Sequence, residues 1–184
     1  MRLPLKLKIV ENTPIGDVGI VWTEFAKGPR AVEVLLPGTG FASDGEVEKG
    51  SSPEIEAVAE MLRAILKGRK IRISLKALAL EDCLPFQQDV LRATARIPRG
   101  RVTTYRGLAE SLGREKAARA VGNALATNPF PLIIPCHRVI RSDGRIGGFA
   151  GGAGMKRKLL ELEGVGFDDT NRITSQRFLF SQGS

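Results

Sequence analysis

Residues 104–126 read TYRGLAESLGREKAARAVGNALA, and this stretch decides the fold of the half of the chain that carries the chemistry. Thr104 has the chemistry of an N-cap; Tyr105, Leu108, Ala109 and Leu112 follow at helical spacing, and Gly113 interrupts them. A second helix is predicted over Glu115 to Ala126, with Ala117, Val121 and Leu125 inward and Arg119 projecting. Two short helices about a glycine turn have helix-turn-helix spacing. The second is rich in small residues (Ala117, Ala118, Ala120, Gly122, Ala124), so its backbone can come close to whatever it packs against.

Upstream, a helix is predicted from about Pro85, with Phe86, Val90, Ala93 and Ile97 on one face and Pro98 and Gly100 ending it. Ala77 to Leu84 is the expected linker. Before it, Leu5, Leu7 and Ile9 alternate with lysines, Val18 to Thr23 is β-prone, and Ala31 to Leu36 is a third apolar run. A helix should start at Ser52 and Pro53, with Glu54 and Glu56 near its positive end, Ile55, Val58, Leu62 and Ile65 inward, and Gly68 as the stop. Ile71, Ile73 and Leu75 suggest a further strand. The fold class is α/β (α+β): a small N-terminal antiparallel sheet with a helix (1–80), then a mostly helical domain with a helix-turn-helix (85–166). A polar tail (167–184) follows, apolar only at Phe178, Leu179 and Phe180.

The chain carries a formal charge of +8, and thirteen Lys or Arg against three acids fall between Arg96 and Lys158, a local balance of +10. Such clustering is what phosphate binding requires, because each neutralised phosphate releases a counterion. No run approaches the roughly 20 apolar residues of a membrane span, and Met1 to Val10 does not form a signal core. With only Cys83 and Cys136, no disulfide scaffold is expected, and one histidine cannot easily complete a structural zinc site. An intracellular, cytoplasmic monomer without metal or cofactor is the expectation, with Cys83 in its core.

Downstream, Asn128 to Arg138 reads NPFPLIIPCHR, delivering Cys136 and the only histidine, His137, immediately after a proline. Pro135 is suited to open a helical turn, whose unpaired N–H groups would lower the Cys136 pKa, with Arg138 adding positive potential. A buried structural cysteine is the bland alternative, and the adjoining histidine argues against it. Adjacent side chains diverge, so a bridging water is the expected proton path between the two. Met155 to Glu163 is predicted helical, with Leu159, Leu160 and Leu162 inward; Glu163, misplaced at a negative helix end, suits a partner for His137. Ser142-Asp143-Gly144 is a hairpin signal between Val139–Arg141 and Arg145–Gly147. In the glycine-rich loop that follows, Phe149 is placed to stack on a flat ligand.

These residues resemble the O6-alkylguanine-DNA alkyltransferases, or methylated-DNA-protein-cysteine methyltransferases. The stretch Ile134-Pro135-Cys136-His137-Arg138-Val139 looks like their active-site signature, and the similarity runs from about Phe86 to Gly164, including Lys116 to Gly122 and Asn128-Pro129. The resemblance implies a single-turnover S-methyltransferase, repairing duplex DNA by taking the alkyl group of O6-alkylguanine onto Cys136, with O4-alkylthymine as an alternative substrate. His137 and Glu163 would relay the thiol proton, and Asn128 would brace the turn. Tyr105 would crowd the phosphate beside the target and donate its hydroxyl to the departing base, while Arg119 would fill the gap left by that base. Thr104, Ala118 and Gly122 would join these two on the DNA; Val139, Phe149, Ala150 and Gly151 would line the pocket. The base must be extruded for the sulfur to reach the alkyl carbon in line. Two departures stand out: Phe149-Ala150 replaces a Tyr-Ser pair of some members, removing a hydroxyl, and the Cys/His set of an N-terminal zinc site is missing. Rival readings are a DNA-binding regulator, which needs no Cys136-His137, and a cysteine hydrolase, which leaves the basic cluster unexplained.

Overall fold

Alternation of apolar side chains with lysines makes Lys6–Val10 the first strand, β1, of the computed structural model, which describes residues 4–39 and 48–173. The chain divides into two units: one holds the described residues up to Cys83 together with Pro129–Ile133, the other Leu84–Asn128 and the described residues from Ile134 onward. From the sequence, 85–166 is expected to be one continuous domain. The apolar run Phe130–Ile133 instead joins the first unit, where the Pro129 carbonyl accepts from Val34 N–H at 2.7 Å.

In the first unit β1 pairs antiparallel with β2 (Val18–Phe25), which pairs antiparallel with β3 (Gly28–Leu35). The fourth strand, β4 (Glu48–Lys49), adds to β1 in parallel and gives the order β3-β2-β1-β4. The sheet is therefore mixed, not wholly antiparallel as the sequence suggested. Two charged edge residues have no periodicity to read, so only backbone pairing reveals them. Helix α1 (Pro53–Leu66) has Ser52 as its N-cap, accepting from Ile55 N–H, and buries Ile55, Val58, Leu62 and Ile65 as predicted. It packs on β1 to β3, and an ion pair between Lys8 and Glu56 joins its first turn to β1.

Residues 70–75 form no strand. Ile71, Ile73 and Leu75 pair with no neighbouring strand, because alternation chooses faces but does not supply a sheet edge. The expected linker is also packed: Leu78, Ala79 and Leu80 are buried, and Ala31 exchanges backbone hydrogen bonds with Ala77 and Ala79, both 2.8 Å. Cys83 is half-buried, not a core residue.

The second unit contains α2 (Pro85–Ala95), α3 (Tyr105–Ser111), α4 (Ala118–Ala126) and α5 (Gly152–Leu162). Thr104 caps α3 by accepting from Gly107 N–H at 2.9 Å, and α2, α3 and α4 pack mutually. Helix α4 begins later than predicted, since residues 112–117 form the turn. Strand β5 (Thr103–Thr104) pairs in parallel with β6 (Val139–Ile140), so Val139 lies in a parallel pair and not in the predicted hairpin. The Ser142-Asp143-Gly144 turn itself does form, with Arg141 N–H bonded to the Arg145 carbonyl at 2.9 Å. Val102, Ile140, Leu160, Val165 and Ile173 build one core cluster. Residues 167–173 are thus structural and not a free tail; Phe178, Leu179 and Phe180 lie outside the described residues. Leu162, expected inward, is 40% exposed. Among the described residues no helix is long and apolar enough to cross a membrane.

Candidate active site

Cys136, His137 and Arg138 form a single 3-10 turn after Pro135. A turn of three residues has no appreciable macrodipole, but the backbone N–H groups of Cys136 and His137 still act to lower the thiol pKa, as expected of an opening turn. Burial outweighs them and pushes the Cys136 thiol up, while the Asn128 side-chain hydrogen bond and the charge of Lys156 also work against that rise. Cys136 remains 9% exposed, buried but not sealed. Asn128, at the end of the α4 segment, also donates its side-chain N–H to the Ile134 carbonyl at 3.1 Å, tying the approach to the turn.

His137 is almost wholly buried and points Nε2 at Glu163 Oε1, 2.9 Å away. An ionised carboxylate only accepts, so Nε2 carries the proton. Nδ1 is then the basic nitrogen, and it is buried with no hydrogen-bond partner. Burial lowers the His137 pKa; Glu163 opposes this, and the cations of Arg138 and Lys156 add to it. The Phe149 ring meets the imidazole edge-on, with centroids 6.3 Å apart.

Glu163 caps the C-terminus of α5 with a side chain only 3% exposed. Arg138 grips it with Nη2 at 2.8 Å from Oε1 and Nε at 2.9 Å from Oε2, and Gly100 N–H reaches Oε2 at 3.1 Å. Burial alone would raise the Glu163 carboxyl pKa, but hydrogen bonds and charge from His137 and Arg138 hold it down at about 2. Arg138 is therefore a buried clamp, with Nη1 on the Ile97 carbonyl at 2.5 Å, and not the source of loose positive potential that the sequence suggested.

Lys156 is completely buried on α5. Its Nζ donates to the Val139 carbonyl at 2.6 Å and the Gly148 carbonyl at 3.1 Å, and lies 6.0 Å from the centre of the Tyr105 ring. Burial lowers its pKa to about 8, with Cys136 acting in the opposite sense. Sequence reasoning missed it, although Lys156, Leu159, Leu160 and Glu163 stand at i, i+3, i+4 and i+7, one stripe of one helix. Tyr105 is half-buried, and burial, then Cys136, raise its pKa, so it keeps its proton.

Cys136, His137, Glu163, Asn128 and Tyr105 are thus gathered in one unit. Of the other expected contacts, Arg119 is exposed on α4 and Ala118 half-buried. Gly122 faces Tyr105: a Cβ there would meet the ring at 3.8 Å. Thr104 is occupied as a cap, the Val139 side chain is in the core, Ala150 is exposed, and Gly151 precedes α5. A cleft of about 580 Å³ in the first unit, lined by Lys8, Lys49, Arg63 and Glu11 among others, contains none of these residues.

Residues 85–165 match the family described as 6-O-methylguanine DNA methyltransferase, DNA binding domain. Over 157 residues the chain is 40% identical to a methylated-DNA–protein-cysteine methyltransferase of Methanothermobacter thermautotrophicus, covering 84% of each. The crystal structure of the Mycobacterium tuberculosis O6-methylguanine methyltransferase superposes with a TM-score of 0.70 at 30% identity, over 86% of this chain and 92% of that one. The same organism's protein in complex with DNA gives 0.68 at 29% identity, with the same coverage.

Proposed function

The chain belongs to the methylated-DNA–protein-cysteine methyltransferase family, and from that premise we propose that it repairs duplex DNA by transferring the alkyl group of O6-alkylguanine irreversibly to Cys136. One observation carries the assignment of roles. In the same turn as the cysteine, the only histidine has Nε2 fixed on a buried, ionised carboxylate and Nδ1 left without a partner.

The thiol proton passes through water to His137 Nδ1, and the resulting imidazolium is stabilised by Glu163. Sulfur attacks the alkyl carbon in line; the S–C bond forms as the C–O bond to guanine breaks. Tyr105 gives its phenolic proton to the departing base and recovers one from His137 through solvent, so the thiol proton ends on guanine. The pull of Lys156 on sulfur acts against the cost of forming a buried thiolate. The product thioether is neutral and no group described here can hydrolyse it, so each molecule acts once.

DNA is held by α3 and α4, with Arg119 entering the stack where the extruded base has left it and Ala118 allowing close backbone approach. Phe149, beside His137, stands at the wall of the base pocket with Gly151; with Ala150 in place of a hydroxyl residue, backbone N–H groups remain as donors there. The reading places the protein in the cytoplasm, where a reducing medium keeps the sulfur available.

The test is to incubate the protein with duplex DNA bearing O6-methylguanine, then weigh the intact chain and its Cys136 peptide. One methyl group per chain on Cys136, absent in Cys136→Ser, is the expected result. DNA binding without an adduct, or continuous ester cleavage, would overturn the proposal.

A further inference from the structure

Glu163 receives donors from two sources. His137 and Arg138 both belong to the 3-10 turn that carries Cys136, and so move with it. Gly100 N–H, at 3.1 Å from Oε2, comes from elsewhere: the loop between α2 and β5. That loop is a closed turn, with Arg101 N–H bonded to the Pro98 carbonyl at 3.1 Å, and Gly100 is its third residue with φ +72°. Only at that backbone angle, which glycine adopts without strain, does the turn present this N–H. The space is also glycine's alone, because a Cβ would lie 2.9 Å from the backbone oxygen of Glu163.

The same loop makes two more ties. The Ile97 carbonyl accepts from Arg138 Nη1 at 2.5 Å, and Arg99 Nη2 donates to the Leu162 carbonyl at the end of α5. Ile97–Gly100 thus holds the Arg138 fork, the helix end and the carboxylate together. We infer that Gly100 is a positioning residue for alkyl transfer: its backbone N–H anchors Glu163 to the frame of the second unit and so fixes the ring of His137 beside Cys136. Without it, that loop would reach the carboxylate only through the longer Arg99 Nη1 ion pair, 3.9 Å from Oε1, and every hydrogen bond left on the carboxylate would come from the turn it is meant to orient. The inference rests on the alkyl-transfer reading.

The experiment compares wild type with Gly100→Ala. The single-turnover rate with protein in excess over methylated duplex should fall at least tenfold, and its pH profile should shift as His137 loses its fixed partner. Duplex affinity should stay within threefold. Because the chain has one histidine, its imidazole NMR signals are unambiguous; the Nε2 proton held on Glu163 should move or broaden in the variant. A folded Gly100→Ala with unchanged rate and unchanged histidine signals would overturn the inference. Should Gly100→Ala fail to fold, the Gly100 amide is followed in the full protein with Glu163→Gln. The inference expects its proton shift and hydrogen-exchange protection to change more than those of other amides in the 97–101 turn, and an unperturbed Gly100 amide refutes it. The NMR readouts need no alkylated DNA, so a wild type that transfers nothing would count against the functional reading and leave the brace to be judged by itself.

Discussion

Glu163 shows how one carboxylate can be both an electrostatic liability and an anchor. Burial penalises its charge, and the bonds from His137 and Arg138 more than offset that, leaving its pKa near 2 instead of 4.5. A depressed carboxylate pKa adds stability that is complete above the unfolded value and is lost as pH falls through the folded one. Wild-type stability to denaturant should therefore drop as pH goes from about 4.5 towards 2. Glu163→Gln should cost about 3 kcal/mol at pH 7 and flatten that acid limb. An unchanged acid limb in denaturant titrations would refute the account. Legibility at this scale was uneven. Cys136, His137 and Asn128 stand in one short motif, and the odd placement of a glutamate at a helix end was a usable signal. The net acidity of the thiol was not, because it depends on how deeply three dimensions bury the sulfur, and that burial outweighs the lowering by the turn's own N–H groups.

Helix α5 carries both Lys156 and Glu163, two turns apart on one face, and so sets a cation near the sulfur and a carboxylate on the imidazole. Lys156 also links the glycine loop, at Gly148, to β6, at Val139. Lys156→Met would strand both carbonyls and remove the charge. Labelling of Cys136 by iodoacetamide, followed on its own peptide, should slow several-fold at pH 7. Lys156 is protonated below about 8 and neutral above it, so the gap between wild type and variant should narrow above that pH. A gap that is absent at pH 7, or that widens above pH 8, would count against an electrostatic role. The helices themselves were readable: Ser52 and Thr104 cap where the sequence put caps, and α1 buries the predicted stripe. The stripe of α5, read from its leucines alone, leaves out the buried Lys156 and counts the exposed Leu162 as inward. Strand partners were less accessible still, as β4, the β5–β6 pair and the unpaired 70–75 segment show.

For the molecule as a whole, charge is the property that acts at a distance. Of the thirteen basic residues between Arg96 and Lys158, Arg138 and Lys156 are buried and committed to Glu163 and to carbonyls, leaving eleven. Lys116, exposed just before α4, should bind phosphate without reading bases. Lys116→Ala is expected to weaken binding to any duplex alike and to reduce the slope of log affinity against log salt by about 1. An unchanged slope in a salt titration would remove it from the interface.

The sequence by itself determined that these helices form, the caps of α1 and α3, the neighbours of Cys136 and the basic half of the chain, because periodicity, cap chemistry and charge are local properties. Only the tertiary structure decided which basic residues are buried, that Gly100 and Arg138 converge on Glu163, and that Phe130–Ile133 joins the first unit. Those outcomes depend on contacts between residues far apart in the chain, where burial can reverse the sign of an effect that the local sequence predicts.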